Sequence, residues 1–177
     1  DWFTFRAPAG NEPAACVPST PGGNDTYYDG WFGFDSIPVL NKSNPEVQDY
    51  FLHTPNSISR FWLKQGAAAW RLDVMGDSSF PNGYWETFRK VVKQTDSNAL
   101  IIGELWQKDS TLLRHLRGDR ADTTMSYRLR DAVIGLLAPG PFDSKGFADS
   151  GRPLEPSEFA ARLQSITDPG LALGALI

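Results

Sequence analysis

The chain is predicted to be an α/β protein with parallel strands, and three features of its sequence carry that prediction. From residue 44 to 138, helical and strand patterns alternate as helix, strand, helix, strand, helix, strand, helix. Such alternation implies parallel strands covered by helices. Continuous apolar runs such as ALII at 99–102 fit strands buried on both faces. Two such runs each deliver one carboxylate, Asp73 and Glu104, which stand 31 positions apart. A (β/α)8 barrel of ~250 residues divides into units of about 31 residues. A doubly wound sheet has units of similar size, so the spacing favours α/β in general and the barrel only weakly.

The elements follow in order. Residues 1–30 are rich in Pro, Gly, Asn and Ser, a long irregular segment of the kind that is functional or a linker. WFGFDSIPVLN at 31–41 is apolar and aromatic. A helix then starts with Asn44 as N-cap, Pro45 in the first turn and Glu46 behind it. It runs through SISRFWLKQ and stops at Gly66, with His53-Thr54-Pro55 as an interruption or new start. AAAWRLDV at 67–74 is the first parallel strand, followed by the turn-rich GDSSFPNG. YWETFRKVVKQT at 84–95 places Trp85, Phe88, Val91 and Val92 at amphipathic-helix spacing. ALIIGEL is the second strand, TLLRHLRG a short helix ended by Gly118, and ADTTMSY a weaker third strand. RLRDAVIGLLA is a helix ended by PGPF; after a loop at 143–153, PSEFAARLQSI is the last helix, with Ser157 as its expected N-cap.

Composition narrows the function. Of 177 residues, 41% are hydrophobic and 21% charged, ordinary globular usage that supports a packed core. The net charge is −4 with no run of Lys or Arg, which argues against a nucleic-acid groove. No apolar stretch approaches the ~20 residues of a membrane span. DWFTFRAPAG lacks the basic start and apolar core of a signal peptide, which says little if the chain begins in the middle of a protein. Secretion and the cytoplasm both stay open, with secretion favoured. The single cysteine, Cys16, excludes an internal disulfide and a Cys-rich metal site; it is expected to be a bystander thiol in a loop. His53 and His115 lie 62 positions apart without ligand spacing, so solvated or capping roles are expected for both. Six Trp and 12% aromatic residues offer flat faces for sugar C–H groups, and equally good core filler.

The carboxylates are the more telling feature. Alternate residues of a strand face the same way, so Arg71 and Asp73 share one face while Trp70, Leu72 and Val74 meet the covering helices. The carboxyl end of a parallel strand is where ligands bind. Glu104 stands at the same kind of position, with Gly103 leaving room for close approach. Two facing carboxyl groups serve glycoside hydrolysis, one as nucleophile and one as proton donor. Arg71 is expected to keep Asp73 ionised. Glu104 is expected to have a raised pKa from the neighbouring anion and its apolar surroundings. A structural Arg71–Asp73 pair beside an unrelated Glu fits the pattern alone equally well.

Beyond these residues the chain resembles a known family. GAAAWRLDV at 66–74 resembles the second conserved region of the alpha-amylase family (family-13 glycoside hydrolases), commonly GADGWRLDV. IIGELW at 101–106 resembles the third, often IVGEIW. The stretch joining them is similar in length and texture to the neopullulanase, cyclomaltodextrinase and amylopullulanase branch. IPVLN at 37–41 resembles the MPKLN-type segment that ends the loop domain after strand three, and ADTTMSYRLRDAV resembles the DxVMNYxFRxAV stretch of strand six. The likeness runs from about residue 27 to 140.

The resemblance implies a partial (β/α)8 barrel. Residues 1–40 would end the loop domain, and 41–177 would hold about strands four to six with their helices. It implies Asp73 as nucleophile, Glu104 as general acid/base and Arg71 as the arginine that positions the nucleophile, with retention through a covalent glycosyl-enzyme. Asp77 and Trp106 fall where the family places sugar contacts. Trp31, Phe32 and Tyr84 are candidate stacking faces for which packing serves as well; Asn41 is expected to brace a turn. The implied partner is an α-glucan oligo- or polysaccharide, together with the remainder of the barrel. The chemistry needs no cofactor, and a structural calcium stays open.

Several positions depart from the family pattern. Ala68-Ala69 replace its Asp-Gly and Ser126 replaces its Asn. Its first region, an Asp and a His after strand three, has no counterpart, nor does the His-Asp pair after strand seven that holds the third catalytic carboxylate. The chain is therefore expected to be the middle of a barrel, with exposed strand edges. The alternative is an inactive fragment or degenerate homologue that at most binds sugar, since the third catalytic carboxylate is missing, and the fragment alone is expected to be inactive. An unrelated aldolase-type barrel would want a lysine or metal cluster at the strand ends, and 73 and 104 supply neither. Linkage preference, hydrolysis against transglycosylation and oligomeric state stay open.

Overall fold

A computed structural model of the chain describes residues 2–3, 5–6, 16–18, 27–31, 34, 36–106, 109–138 and 153–166. The expected breaker at 139–142, most of the loop after it and Phe32 lie outside the described residues. The chain divides into two units, Asp1–Ile58 with Ser79–Pro81, and Ser59–Ser78 with Asn82–Ile177.

The first unit carries a small antiparallel sheet of β1 (Phe5–Arg6), β2 (Cys16–Pro18) and β3 (Tyr27–Asp29) in the order β1-β3-β2. Cys16 is thus a strand residue paired with Asp29, not the loop residue expected; the partner strand is remote in sequence and gives no local signal. Asn41 braces a turn as expected, its side chain accepting from the Ser43 N–H at 3.2 Å. Asn44 caps α1 (Pro45–Gln48) by accepting from the Glu46 N–H at 2.7 Å. A π-helical turn, Asp49–His53, follows and ends at Thr54, whose ψ of 155° is extended. A residue before proline is driven out of the helical region, so the interruption falls at Thr54-Pro55. Helix α2 (Ile58–Lys64), which apart from Ile58 belongs to the second unit, ends ahead of Gly66, where φ is +100°.

The second unit holds the parallel sheet β4 (Ala69–Leu72), β5 (Leu100–Gly103) and β6 (Thr123–Thr124), in that order. Helices α3 (Tyr84–Thr95), α4 (Asp109–His115) and α5 (Tyr127–Leu137) alternate with the strands, and α6 (Pro156–Ile166) follows. Pro156 takes the first helical position of α6, so Ser157 lies inside its first turn rather than capping it. The buried side of α3 is Trp85, Phe88, Val91 and Val92, the four positions that its spacing picks out. Trp70 of β4 meets Phe88 edge-on at 6.0 Å, and Ile101 of β5 is wholly buried. Each such side chain contributes about 1.5–3 kcal/mol by leaving water. Among the described residues no helix is long and apolar enough to cross a membrane.

His115 is buried, contrary to the expected solvated role. Burial, helped by Arg120 and Arg114, pushes its pKa down to about 4 against the opposing Glu86 and Asp119. It sits at the end of α4, where the chain turns back towards β6: its carbonyl accepts from the Ala121 N–H at 3.0 Å.

Charged clamps tie α3 to the segment leading into β6. Asp122 accepts from Arg89 at 2.6 Å and Lys93 at 2.8 Å, and its second oxygen also takes the Ile101 N–H at 2.9 Å. Arg120 grips Glu86 through Nε at 2.9 Å and Nη2 at 2.6 Å. Burial pushes the Asp122 pKa up, but Lys93, Arg89 and the Ile101 amide outweigh it, so the group sits below its ordinary range. Asp122→Ala leaves two cations and a strand amide without their acceptor and is expected to cost about 2–4 kcal/mol. A carboxylate with a depressed folded pKa stabilises above its unfolded value of about 3.9 and loses that contribution as pH falls through the folded value. Urea unfolding at pH 7 and pH 3 checks both points: the variant is weaker at pH 7 and closer to wild type at pH 3. A loss under about 0.5 kcal/mol at pH 7 contradicts the clamp.

Candidate active site

The sheet register builds the site. β4 and β5 pair Ala69 with Leu100 through to Leu72 with Gly103, and β5 and β6 pair Gly103 with Thr124. The next position on each strand is Asp73, Glu104 and Met125, so these three form one row at the carboxyl rim. Backbone bonds carry the ladder to that row: Glu104 N–H to Leu72 O at 2.9 Å and Met125 N–H to Gly103 O at 3.0 Å. The chain then turns at Val74, a non-glycine residue with φ of +42°, a conformation costing about 1–3 kcal/mol. Val74 thus lies in the turn after β4 rather than in the strand expected to reach it, and its N–H donates to Glu104 Oε2, 3.0 Å away.

One cation joins both acids. Arg71 Nη1 is paired with Asp73 Oδ1, and Nη2 lies 2.9 Å from Glu104 Oε1. Their surroundings differ sharply, for the Asp73 side chain is 73% exposed and that of Glu104 8%. Glu104 Oε1 also accepts from the Tyr127 hydroxyl at 2.7 Å. Burial drives the Glu104 pKa up, but Tyr127, the Val74 amide, the Trp106 side chain and Arg71 outweigh it and hold the group below its ordinary range. The expected upward shift is corrected: Arg71 reaches across the strands to serve both acids, and the Tyr127 hydroxyl, the Val74 amide and the Trp106 side chain stand around Glu104 where apolar surroundings were expected. Burial and the adjacent carboxylate push the Tyr127 hydroxyl up to about 12. Arg71 is raised chiefly by its bond to Asp73.

Gly103 leaves the room expected of it, and Met75 fills that room. A Cβ at 103 would lie 2.7 Å from Met75 Sδ and 3.7 Å from Ala121 Cβ, and Met75 is itself almost fully buried. Met75 N–H also donates to Glu104 O at 3.0 Å, so this close approach helps seat the 73–77 turn beside the acid.

The remaining candidates fall in different places. Asp77 closes the same turn, its N–H donating to Val74 O at 2.9 Å. Trp106 is exposed beside Glu104. Tyr84 opens α3 and meets Trp85 edge-on at 5.1 Å; burial pushes its hydroxyl up to about 12. Trp31 belongs to the first unit and stacks on Phe34 at 6.3 Å. Tyr127 and Met125 were not singled out in the sequence reading. Met125 follows Glu104 by 21 positions, not 31, so only the cross-strand register of ADTTMSY, and not the spacing of the two acids, puts it beside Glu104.

Parallel strands with helical connections and paired acids on their carboxyl rim define an α/β protein with a candidate active site at that rim, and comparison with known proteins specifies which. The alpha amylase catalytic-domain profile matches residues 1–146, and the chain belongs to the alpha-amylase family. That domain is a (β/α)8 barrel, of which the parallel sheet described here is a part. Neopullulanase 2 of Thermoactinomyces vulgaris is 35% identical over 136 residues, 75% of this chain and 22% of that protein. The native debranching enzyme of Nostoc punctiforme superposes with a TM-score of 0.74 at 29% identity, over 98% of this chain and 32% of that one. Cyclic alpha-maltosyl-(1→6)-maltose hydrolase from Arthrobacter globiformis, in complex with maltose, gives 0.68 at 28% identity, over 98% and 33%. The chain thus spans between a fifth and a third of these relatives.

Two variants test the site's construction. Tyr127→Phe removes one donor to the Glu104 anion, so the Glu104 titration, followed by carboxyl carbon-13 NMR, is expected to move to higher pH; an unmoved titration contradicts the contact. Gly103→Ala forces Met75 to shift and is expected to cost about 1–3 kcal/mol in thermal or urea unfolding. A neutral outcome there would show that Met75 does not rest on the glycine.

Proposed function

We propose that this chain is the central part of the catalytic domain of a retaining glycoside hydrolase acting on α-glucans, at α-1,4 or α-1,6 linkages in pullulan, starch or cyclodextrins. Residues 1–40 end the loop domain, the parallel strands are strands four to six, and a longer chain supplies the rest of the barrel. The observation that carries this reading is the single Arg71 guanidinium held between an exposed Asp73 and a buried Glu104 on adjacent strands. Carboxyl groups that share one cation suit the closer, retaining separation of about 5–5.5 Å better than the wider inverting gap.

The chemistry divides between the two acids. Asp73, open to the cleft and oriented by Arg71, attacks the anomeric carbon while Glu104 gives its proton to the departing glycosidic oxygen. The C–O bond breaks and a glycosyl ester on Asp73 forms. Water then attacks that ester, Glu104 takes the water's proton, and Asp73 leaves as carboxylate. In the free chain Glu104 is held as an anion, the form the second step needs. Substrate arrival excludes water, and this desolvation raises the Glu104 pKa so that it takes up the proton for the first step. Trp106 and Asp77, beside the acids, contact the sugar, and the Tyr84 ring offers a stacking face. No cofactor enters these steps.

In the full-length protein, Asp73→Asn and Glu104→Gln are each expected to lower turnover on pullulan or starch by about 10³-fold or more, because each removes a group that forms or breaks a bond. Product analysis on pullulan, resolving panose, maltotriose and maltose, reads out the linkage cut. Near-wild-type rates in either variant refute the assignment. A wild-type protein that binds maltodextrin and never turns it over is the sugar-binding homologue instead.

A further inference from the structure

We propose that Met125 is a modification site for hydroperoxides, and that its sulfoxide draws Arg71 and Tyr127 away from Glu104. The chain has two methionines, in contrasting places. Met75 is 1% exposed beneath Gly103. Met125 is only half-buried and lies in the rim row beside Glu104. Its sulfur accepts from Arg71 Nη2 at 3.5 Å and faces the Tyr127 hydroxyl at 3.9 Å. Those same two groups hold Glu104 Oε1, Arg71 Nη2 as an ion pair at 2.9 Å and the Tyr127 hydroxyl as a donor at 2.7 Å. The thioether thus stands next to both donors as a weak rival acceptor.

Oxidation changes that balance. The sulfur lone pair takes the terminal oxygen of a hydroperoxide, the O–O bond breaks, and the remainder leaves as water or an alcohol after a proton shift. Sulfur loses two electrons and the hydroperoxide gains them. A thioether is a weak acceptor, whereas a sulfoxide is polar and carries a full acceptor oxygen. That oxygen projects from the sulfur towards donors already within reach. Glu104, whose side chain is 8% exposed, has little water to replace the donors it loses. The modification is reversible by methionine sulfoxide reductases, so the rim behaves as a peroxide-sensitive switch.

The oxidation and its effect on Glu104 rest on geometry alone, while the effect on turnover rests on the proposed function. The test treats full-length protein with hydrogen peroxide and follows three signals. Peptide mapping follows Met125, Met75 and Cys16 with time, the Glu104 carboxyl carbon-13 resonance reports the contacts, and pullulan hydrolysis is compared with untreated protein. Met125 is expected to oxidise about tenfold or more faster than Met75, following their exposure. The Glu104 resonance moves with the same time course, and turnover falls with it. Sulfoxide reductase reverses all three, and Met125→Leu, compared with its own untreated state, shows neither change. Equal oxidation rates for the two methionines overturn the proposal, as does an oxidised Met125 with an unmoved Glu104 resonance. A protein without turnover leaves the first two signals to decide and counts against the proposed function alone.

Discussion

The guanidinium of Arg71 sits between two carboxylates, and the rim is built around that shared cation. Two unit charges of like sign 4 Å apart repel by about 4 kcal/mol near a protein surface, so neighbouring acids on one sheet edge need a cation to stand together. Arg71 supplies it with separate nitrogens, Nη1 for Asp73 and Nη2 for Glu104. The planar fork suits this double duty, where the point charge of a lysine would not. What distinguishes the acids is their surroundings: Asp73 stands in solvent, and Glu104 is sunk among three further donors. A symmetric cation thereby serves an asymmetric pair, the condition for two carboxyl groups to take different parts in one reaction.

That contact depends on register, which is secured away from the rim. A one-residue slip between β4 and β5 would turn Glu104 to the other face of the sheet. The Asp122 clamp fastens β5 to the segment before β6 through the Ile101 amide while gripping α3 with Arg89 and Lys93. On the other side, Met75 presses onto Gly103 and donates its amide to the Glu104 carbonyl. The left-handed Val74 stores backbone strain between these anchors and directs one more amide at the acid. Strain of this kind persists only where the surroundings overdetermine it, and here the ladder bonds on both sides of the turn do so.

Much of this was legible in the sequence where the signals are local. The apolar spacing of α3 marked each of its buried residues, Asn44 and Gly66 marked helix limits, and the alternation of elements marked a parallel sheet. The carboxylates at strand ends pointed to the rim. What escaped depends on partners distant in the chain. The second contact of Arg71 crosses to another strand, and Tyr127 reaches Glu104 from 23 positions further on. The burial of His115 follows from how α4 turns back towards β6. Strand pairing for Cys16 comes from β3. The direction of the Glu104 pKa was misjudged for the same reason: local sequence showed an apolar neighbourhood and could not show the donors folded into it.

The reading of the rim is tested most directly by trapping the covalent intermediate. The full-length protein would be incubated with a 5-fluoro α-glucosyl fluoride, a sugar that forms the glycosyl ester and releases it slowly, and then mapped by mass spectrometry. The account requires one adduct, carried by the carboxylate of Asp73, with Glu104 unmodified. An adduct on Glu104 or on another carboxylate, or none at all from a protein that hydrolyses α-glucans, would contradict it.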